Sequence, residues 1–140
     1  MKHKILIIDD DREMCDEVSS SLEDEGYEVS ISNDGIEGNE LASGDDFDVL
    51  LLDLCLPNLG GLDILKGLRD RKCPRHIIVV SGQVGEDRLT KGRHTESDGV
   101  NETLALADGV LSKPFSMERL LSMIKEAVQR TRRSESKPGA

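Results

Sequence analysis

The chain has 140 residues, 28 of them Asp or Glu and 18 Lys or Arg, which leaves a net charge of −10; only Tyr27, Phe47 and Phe115 are aromatic. That length suits one domain with a largely aliphatic core, and a chain this acidic is a poor candidate for binding nucleic acid through its own surface. With 36% hydrophobic residues gathered into runs, it is not a disordered acidic tail either.

In chain order, Met1-Lys2-His3-Lys4 leads into Ile5–Ile8 and then Asp9-Asp10-Asp11. Four apolar residues are too few for a signal peptide, and no later stretch is long enough to span a membrane. The expectation is a cytoplasmic protein without membrane insertion. Ile5–Ile8 is continuous rather than alternating, which predicts a strand buried on both faces. Met14, Val18 and Leu22 recur at helical spacing, with Gly26 as the stop. Val29 and Ile31 alternate with polar residues and predict a more exposed strand, and Val49–Leu52 predicts another buried one. Leu62, Leu65 and Leu68 form an apolar helical stripe, and Ile77–Val80 is the third buried run. Gly109–Ser112 is the candidate last strand. Met117, Leu120, Leu121, Ile124 and Val128 then predict a final helix with Ser116 as its N-cap. From Arg130 onward the chain is polar and contains Pro138-Gly139, so it reads as a frayed end or the start of a linker.

Strands alternating with helices predict an α/β three-layer sandwich around a parallel sheet. Right-handed crossovers place the strand C-terminal ends along one edge, where such folds bind ligands. The three cysteines, Cys15, Cys55 and Cys73, are odd in number and include no C-x-x-C, so neither a disulfide framework nor a zinc site is indicated. Charge is uneven: Asp9 to Asp53 holds 17 acids against one base, a net of −16, while residues 81–140 hold 9 against 10, a net of +1. The first segment is a candidate cation site and the second a candidate protein-contact face, although most such acids simply line solvated helix faces.

The residues directly after each apolar run carry the chemistry. The first run leads into Asp9-Asp10-Asp11, the second into Asp53, the third into Ser81, and the last predicted strand into Lys113-Pro114-Phe115. An aspartate after a strand is often only a turn former. In a parallel sheet, however, these groups converge. Carboxylates held together repel unless one is protonated or a cation is bound, and hard oxygen ligands without histidine favour Mg²⁺. A lysine and a hydroxyl supply donors to a phosphoryl group. The expected chemistry is phosphoryl transfer to a carboxylate nucleophile.

The segments ILIIDDD (5–11), LLLDLCLP (50–57), VVSG (79–82) and LSKPF (111–115) together resemble a response-regulator receiver domain of two-component signalling. The resemblance covers roughly residues 3–128, within a receiver domain of 1–128, leaving 129–140 as a flexible tail or linker start. It implies a doubly wound, flavodoxin-like fold with a five-stranded parallel sheet of order 2-1-3-4-5. It implies Asp53 as phosphoacceptor, followed by Pro57 at the family's D-x-x-x-P spacing. Asp10 would be a direct Mg²⁺ ligand, Asp9 would act largely through water, and the backbone carbonyl of Cys55 would be a further ligand. Ser81 would hydrogen-bond a phosphoryl oxygen, Lys113 would pair with the phosphoryl group, and Lys113-Pro114 would be cis. Cys55 and Gln83 occupy the two positions that tune dephosphorylation in this family.

The partners implied are a sensor histidine kinase or histidine phosphotransfer protein and a downstream effector of unknown identity, with a phosphorylation-linked homodimer as a further candidate. The signalling face would be built from the fourth helix, fifth strand and fifth helix. Such a protein is a phosphoacceptor and not a turnover enzyme. It would be either a stand-alone regulator or a receiver cut from a longer chain.

Two departures from the family pattern stand out. Val110 occupies a position where the family often has a movable aromatic ring, and a β-branched valine cannot supply one. Ser81 and Lys113 are 32 residues apart, more than usual by roughly two to three helical turns, which predicts a long loop or remodelled helix near 83–101.

Three other classes fit the residues less well. A non-phosphorylated pseudo-receiver acting as an interaction module would have lost an acid or the lysine. An aspartyl-phosphate phosphatase usually carries a second Asp where Cys55 stands. A flavin-binding flavodoxin would need a phosphate loop where this chain has three carboxylates.

Overall fold

A computed structural model of the chain describes residues 3–44, 46–54, 56, 60–73, 75–81 and 105–136, with the backbone alone for 81 and 130–136. The elements are β1 (Lys4–Ile8), α1 (Arg12–Asp24), β2 (Glu28–Ser32), α2 (Gly35–Ser43), β3 (Val49–Asp53), α3 (Gly61–Asp70), β4 (His76–Ser81), β5 (Gly109–Ser112) and α4 (Met117–Ser136). All four strand pairings are parallel and the order is β2-β1-β3-β4-β5, as expected. The insertion expected near 83–101 lies outside the described residues.

The continuous apolar runs follow from burial on both faces. Ile5, Ile7, Val49, Leu51, Ile78 and Leu111 pack on one side against Cys15, Val18 and Leu22 of α1 and Leu120, Ile124 and Ala127 of α4. Leu6, Ile8, Leu50, Leu52, Ile77 and Val79 pack on the other against Ala42, Phe47 and the α3 residues Ile64, Leu65 and Leu68. The strand period of two sends neighbours to opposite layers, so neither layer has room for a polar residue. Each buried Leu or Ile contributes about 1.5–3 kcal/mol.

The helix stripes differ in detail from the sequence reading. In α1 the core positions are Cys15, Val18 and Leu22, with Met14 only packed against their margin. In α3 they are Ile64, Leu65 and Leu68, and Leu62 is only half-buried. Apolar spacing sets the period of a face but shifts its centre by up to a residue. α2 has no apolar stripe because it buries Gly35, Gly38 and Ala42. Its close approach to β1 requires the small residue: a Cβ at Gly38 would sit 2.6 Å from Ile8 Cγ2.

Gly26 and Ser116 stand where the sequence signals put them, and the structure adds an N-cap at Asp11. The Asp11 carboxylate accepts from Met14 N at 3.1 Å, and Gly26 follows α1 with φ +94°. Ser116 Oγ accepts from Arg119 N at 3.1 Å. The helical backbone of α4 continues through 129–136, residues read as the start of a tail. No glycine or proline interrupts it before Pro138.

At the N-terminal edge of the sheet two aspartates repeat one device. Asp48 Oδ2 accepts from Lys4 N at 2.7 Å while its own N donates to Lys4 O at 2.7 Å. Asp108 does the same with Ile77, both bonds being 2.8 Å. Asp108 is also held by Arg69 of α3, whose Nη2 lies 2.7 Å from Oδ2. The remaining Arg69 nitrogens donate to the carbonyls of Leu106, Cys73 and Arg75 at 2.8, 2.9 and 3.1 Å. One guanidinium thus joins the end of α3 to the chain entering β5.

Candidate functional site

The C-terminal ends of β1, β3 and β5 bring the acids and the lysine together. Asp9 directly follows β1, is 1% exposed, and extends the pairing with β2 by donating its N–H to Ser32 O at 3.0 Å. Asp10 follows it and is exposed. Asp53 closes β3 at 4% exposure. Each of these three offers a carboxylate oxygen, and the oxygens lie within 4.8 Å of one another.

Lys113 follows β5 and precedes a cis bond to Pro114. Its Nζ is 3.0 Å from Asp9 Oδ2, 3.4 Å from Asp9 Oδ1 and 3.9 Å from Asp53 Oδ2. Partial burial of Lys113 pulls its pKa down. The hydrogen bond to Asp9 and the charges of Asp53, Asp9 and Asp11 outweigh that, so the pKa ends above its ordinary value and the site holds an ammonium at neutral pH.

Three carboxylates against one ammonium leave the cluster acidic. Two like charges about 4 Å apart repel by about 4 kcal/mol at an effective dielectric near 20, so the arrangement favours a further cation. A buried atom points the same way. Asp9 Oδ1 accepts from Asp11 N at 2.9 Å, but Oδ2 makes no hydrogen bond. Lys113 is close enough to attract Oδ2 but is not aligned to donate to it. An oxygen-only donor set with an unsatisfied buried carboxylate oxygen fits a hard divalent cation.

Other expected site residues are placed less fully. Ser81 ends β4, in register with Ser112, and its side chain lies outside the described residues. So do Cys55, Pro57 and Gln83. Val110 is described: it is 44% exposed, on β5, the strand that leads into Lys113, and faces away from the core.

Three contributors carried no sequence signal. Gly61 opens α3 directly against the phosphoacceptor candidate: its N donates to Leu54 O at 3.2 Å, and a Cβ there would overlap the carbonyl oxygen of Asp53. Asn33 and Cys15 both reach the Asp9 carbonyl, from Nδ2 at 2.8 Å and Sγ at 3.5 Å. Burial and the nearby Asp9 and Asp11 charges push the Cys15 thiol up to about 12, so it stays protonated and can donate. A proline or cysteine spacing can mark a site in sequence, but a side chain bonding to a distant backbone carbonyl has no such periodic mark.

Residues 5–125 match the family model described as the response regulator receiver domain. The response regulator MprA of Mycobacterium leprae is 35% identical over 129 residues, covering 92% of this chain and 52% of that protein. The chain thus spans about half the length of the curated relatives it matches. A CheY-like response regulator receiver domain protein from Methanospirillum hungatei is 29% identical with a TM-score of 0.74, over 96% of this chain and 99% of that one. The response regulator protein TrrA from Thermotoga maritima, solved in complex with Mg²⁺-BeF, is 25% identical with a TM-score of 0.71, over 91% and 99%.

Proposed function

Because the chain belongs to the response regulator receiver domain family of two-component systems, we propose that it accepts a phosphoryl group on Asp53. The observation that carries this reading is the convergence on Asp53 of the Lys113 ammonium and the Asp9 and Asp10 carboxylates. An Asp53 oxygen would attack phosphorus as the P–N bond to a donor phosphohistidine breaks, leaving the imidazole to take a proton from water. Asp10, Asp9 and Asp53, with the Cys55 backbone carbonyl, would hold Mg²⁺, which when bound offsets the negative charge of the phosphoryl oxygens. Lys113 keeps its proton and would pair with one phosphoryl oxygen, and the Ser81 hydroxyl would donate to another. Burial of Asp53 limits access by bulk water.

The donor would be a sensor histidine kinase or a histidine phosphotransfer protein in the cytoplasm, and the product state would act by contact with an effector or a second copy. This is stoichiometric self-modification and not turnover of a substrate. The test is incubation with a small acyl phosphate, with and without Mg²⁺, read by intact mass. One phosphoryl group should appear only with Mg²⁺ and never in Asp53→Asn. Labelling of Asp53→Asn to the same extent would remove Asp53 from the role.

A further inference from the structure

Asp9 is held through its backbone as firmly as through its carboxylate. Its carbonyl takes Asn33 Nδ2 at 2.8 Å and Cys15 Sγ at 3.5 Å, and these two donors are themselves 3.7 Å apart. They come from different elements, Asn33 from the turn between β2 and α2 and Cys15 from the first turns of α1. The carbonyl fixes which way the amide of Asn33 faces, because turning its oxygen inward would set two acceptors against each other. A peptide unit is planar, so holding the Asp9 carbonyl also orients the Asp10 nitrogen and the start of that residue. Asp10 needs this support. It is exposed, and no side chain among the described residues holds its carboxylate.

We propose that Asn33 is a positioning residue for the cation site: its amide acts through the Asp9 carbonyl to set how Asp9 and Asp10 present their carboxylates, and so tunes metal affinity without touching the metal. The inference rests on the reading of the acidic cluster as a Mg²⁺ site. The competing role for Asn33 is simple closure of the turn into α2, to which asparagine is well suited. That role would affect stability and leave metal affinity unchanged.

The test uses the full 140-residue chain. Mn²⁺ serves as the probe, its binding read from loss of the free-ion electron paramagnetic resonance signal, with Mg²⁺ as competitor. Asn33→Ala should weaken Mn²⁺ binding about three- to tenfold, the usual worth of one lost hydrogen bond. The Mg²⁺ concentration giving half-maximal labelling of Asp53 should rise by the same factor. Asn33→Ser keeps a turn-forming side chain but is too short to reach the carbonyl, so it should show the same loss. Wild-type Mn²⁺ affinity in both Asn33→Ala and Asn33→Ser, even with a lowered unfolding midpoint, would overturn the inference and leave the turn role. Failure of the unsubstituted chain to bind Mn²⁺ or accept a phosphoryl group would instead overturn the reading on which it rests.

Discussion

Lys113 and Asp9, 104 residues apart in sequence, meet as an ion pair with Nζ 3.0 Å from Oδ2. The same nitrogen is 3.9 Å from Asp53, so the ammonium is shared unevenly and lies nearer Asp9 than the phosphoacceptor candidate. A cation entering the cluster therefore competes with Lys113 for Asp9. Lys113→Met should bind Mg²⁺ about two- to tenfold more tightly, since one near positive charge is removed. Labelling of Asp53 should nonetheless fall by at least about tenfold, because the phosphoryl group loses its counter-charge. Mn²⁺ titration and intact-mass kinetics on the same preparation read the two effects with opposite signs.

Alkaline pH should destabilise the protein through two groups at this site. Cys15 is raised from 9.0 to about 12 and Lys113 is raised from 10.5. Each binds its proton more tightly folded than unfolded, so stability is full below the unfolded value and is lost as pH climbs through the folded one. Urea midpoints should hold steady to about pH 9, decline toward 12, and steepen once Lys113 begins to titrate above 10.5. Cys15→Ser should flatten the first part of that decline.

Gly61→Ala should distort the acceptor strand end. The added Cβ would overlap the Asp53 carbonyl oxygen and sit 2.7 Å from Leu54 Cα, both backbone atoms that cannot rotate away. A destabilisation of about 1–3 kcal/mol is expected from overpacking, together with slower Asp53 labelling. Gly67→Ala in the same helix, where the new atom would meet nothing within 4 Å, is the control and should show neither effect in urea titration or mass kinetics.

Arg69→Ala should destabilise the fold by about 1–3 kcal/mol, since three carbonyls and the Asp108 carboxylate lose one shared donor. Arg69→Lys should recover only part of this, because a single ammonium cannot span four acceptors. Denaturant midpoints of the two variants check the ranking.

The three central strands were legible in the sequence because burial on both faces leaves runs with no polar member, whereas β2 showed only as an alternation of apolar and polar residues. The meeting of Asp9, Asp10, Asp53 and Lys113 followed from parallel strands ending along one edge. Helix α2 was not legible as an element, because it packs through Gly35, Gly38 and Ala42 and offers no apolar period. Nor were Asn33, Cys15, Gly61 and Arg69 legible in their roles. Each acts on a backbone atom outside its own element's regular pattern, and such a partner is defined only once the chain has folded.

β5 has four residues, lies at the edge of the sheet, and delivers Lys113 from its C-terminal end. Short edge strands fray first. Fraying here would withdraw the ammonium from the three carboxylates, so the pairing of β5 and the charge balance of the site would be coupled. A divalent cation held by Asp9, Asp10 and Asp53 would then act on the fold at a distance: by offsetting the repulsion among them, it would let the edge strand open without the acidic cluster coming apart.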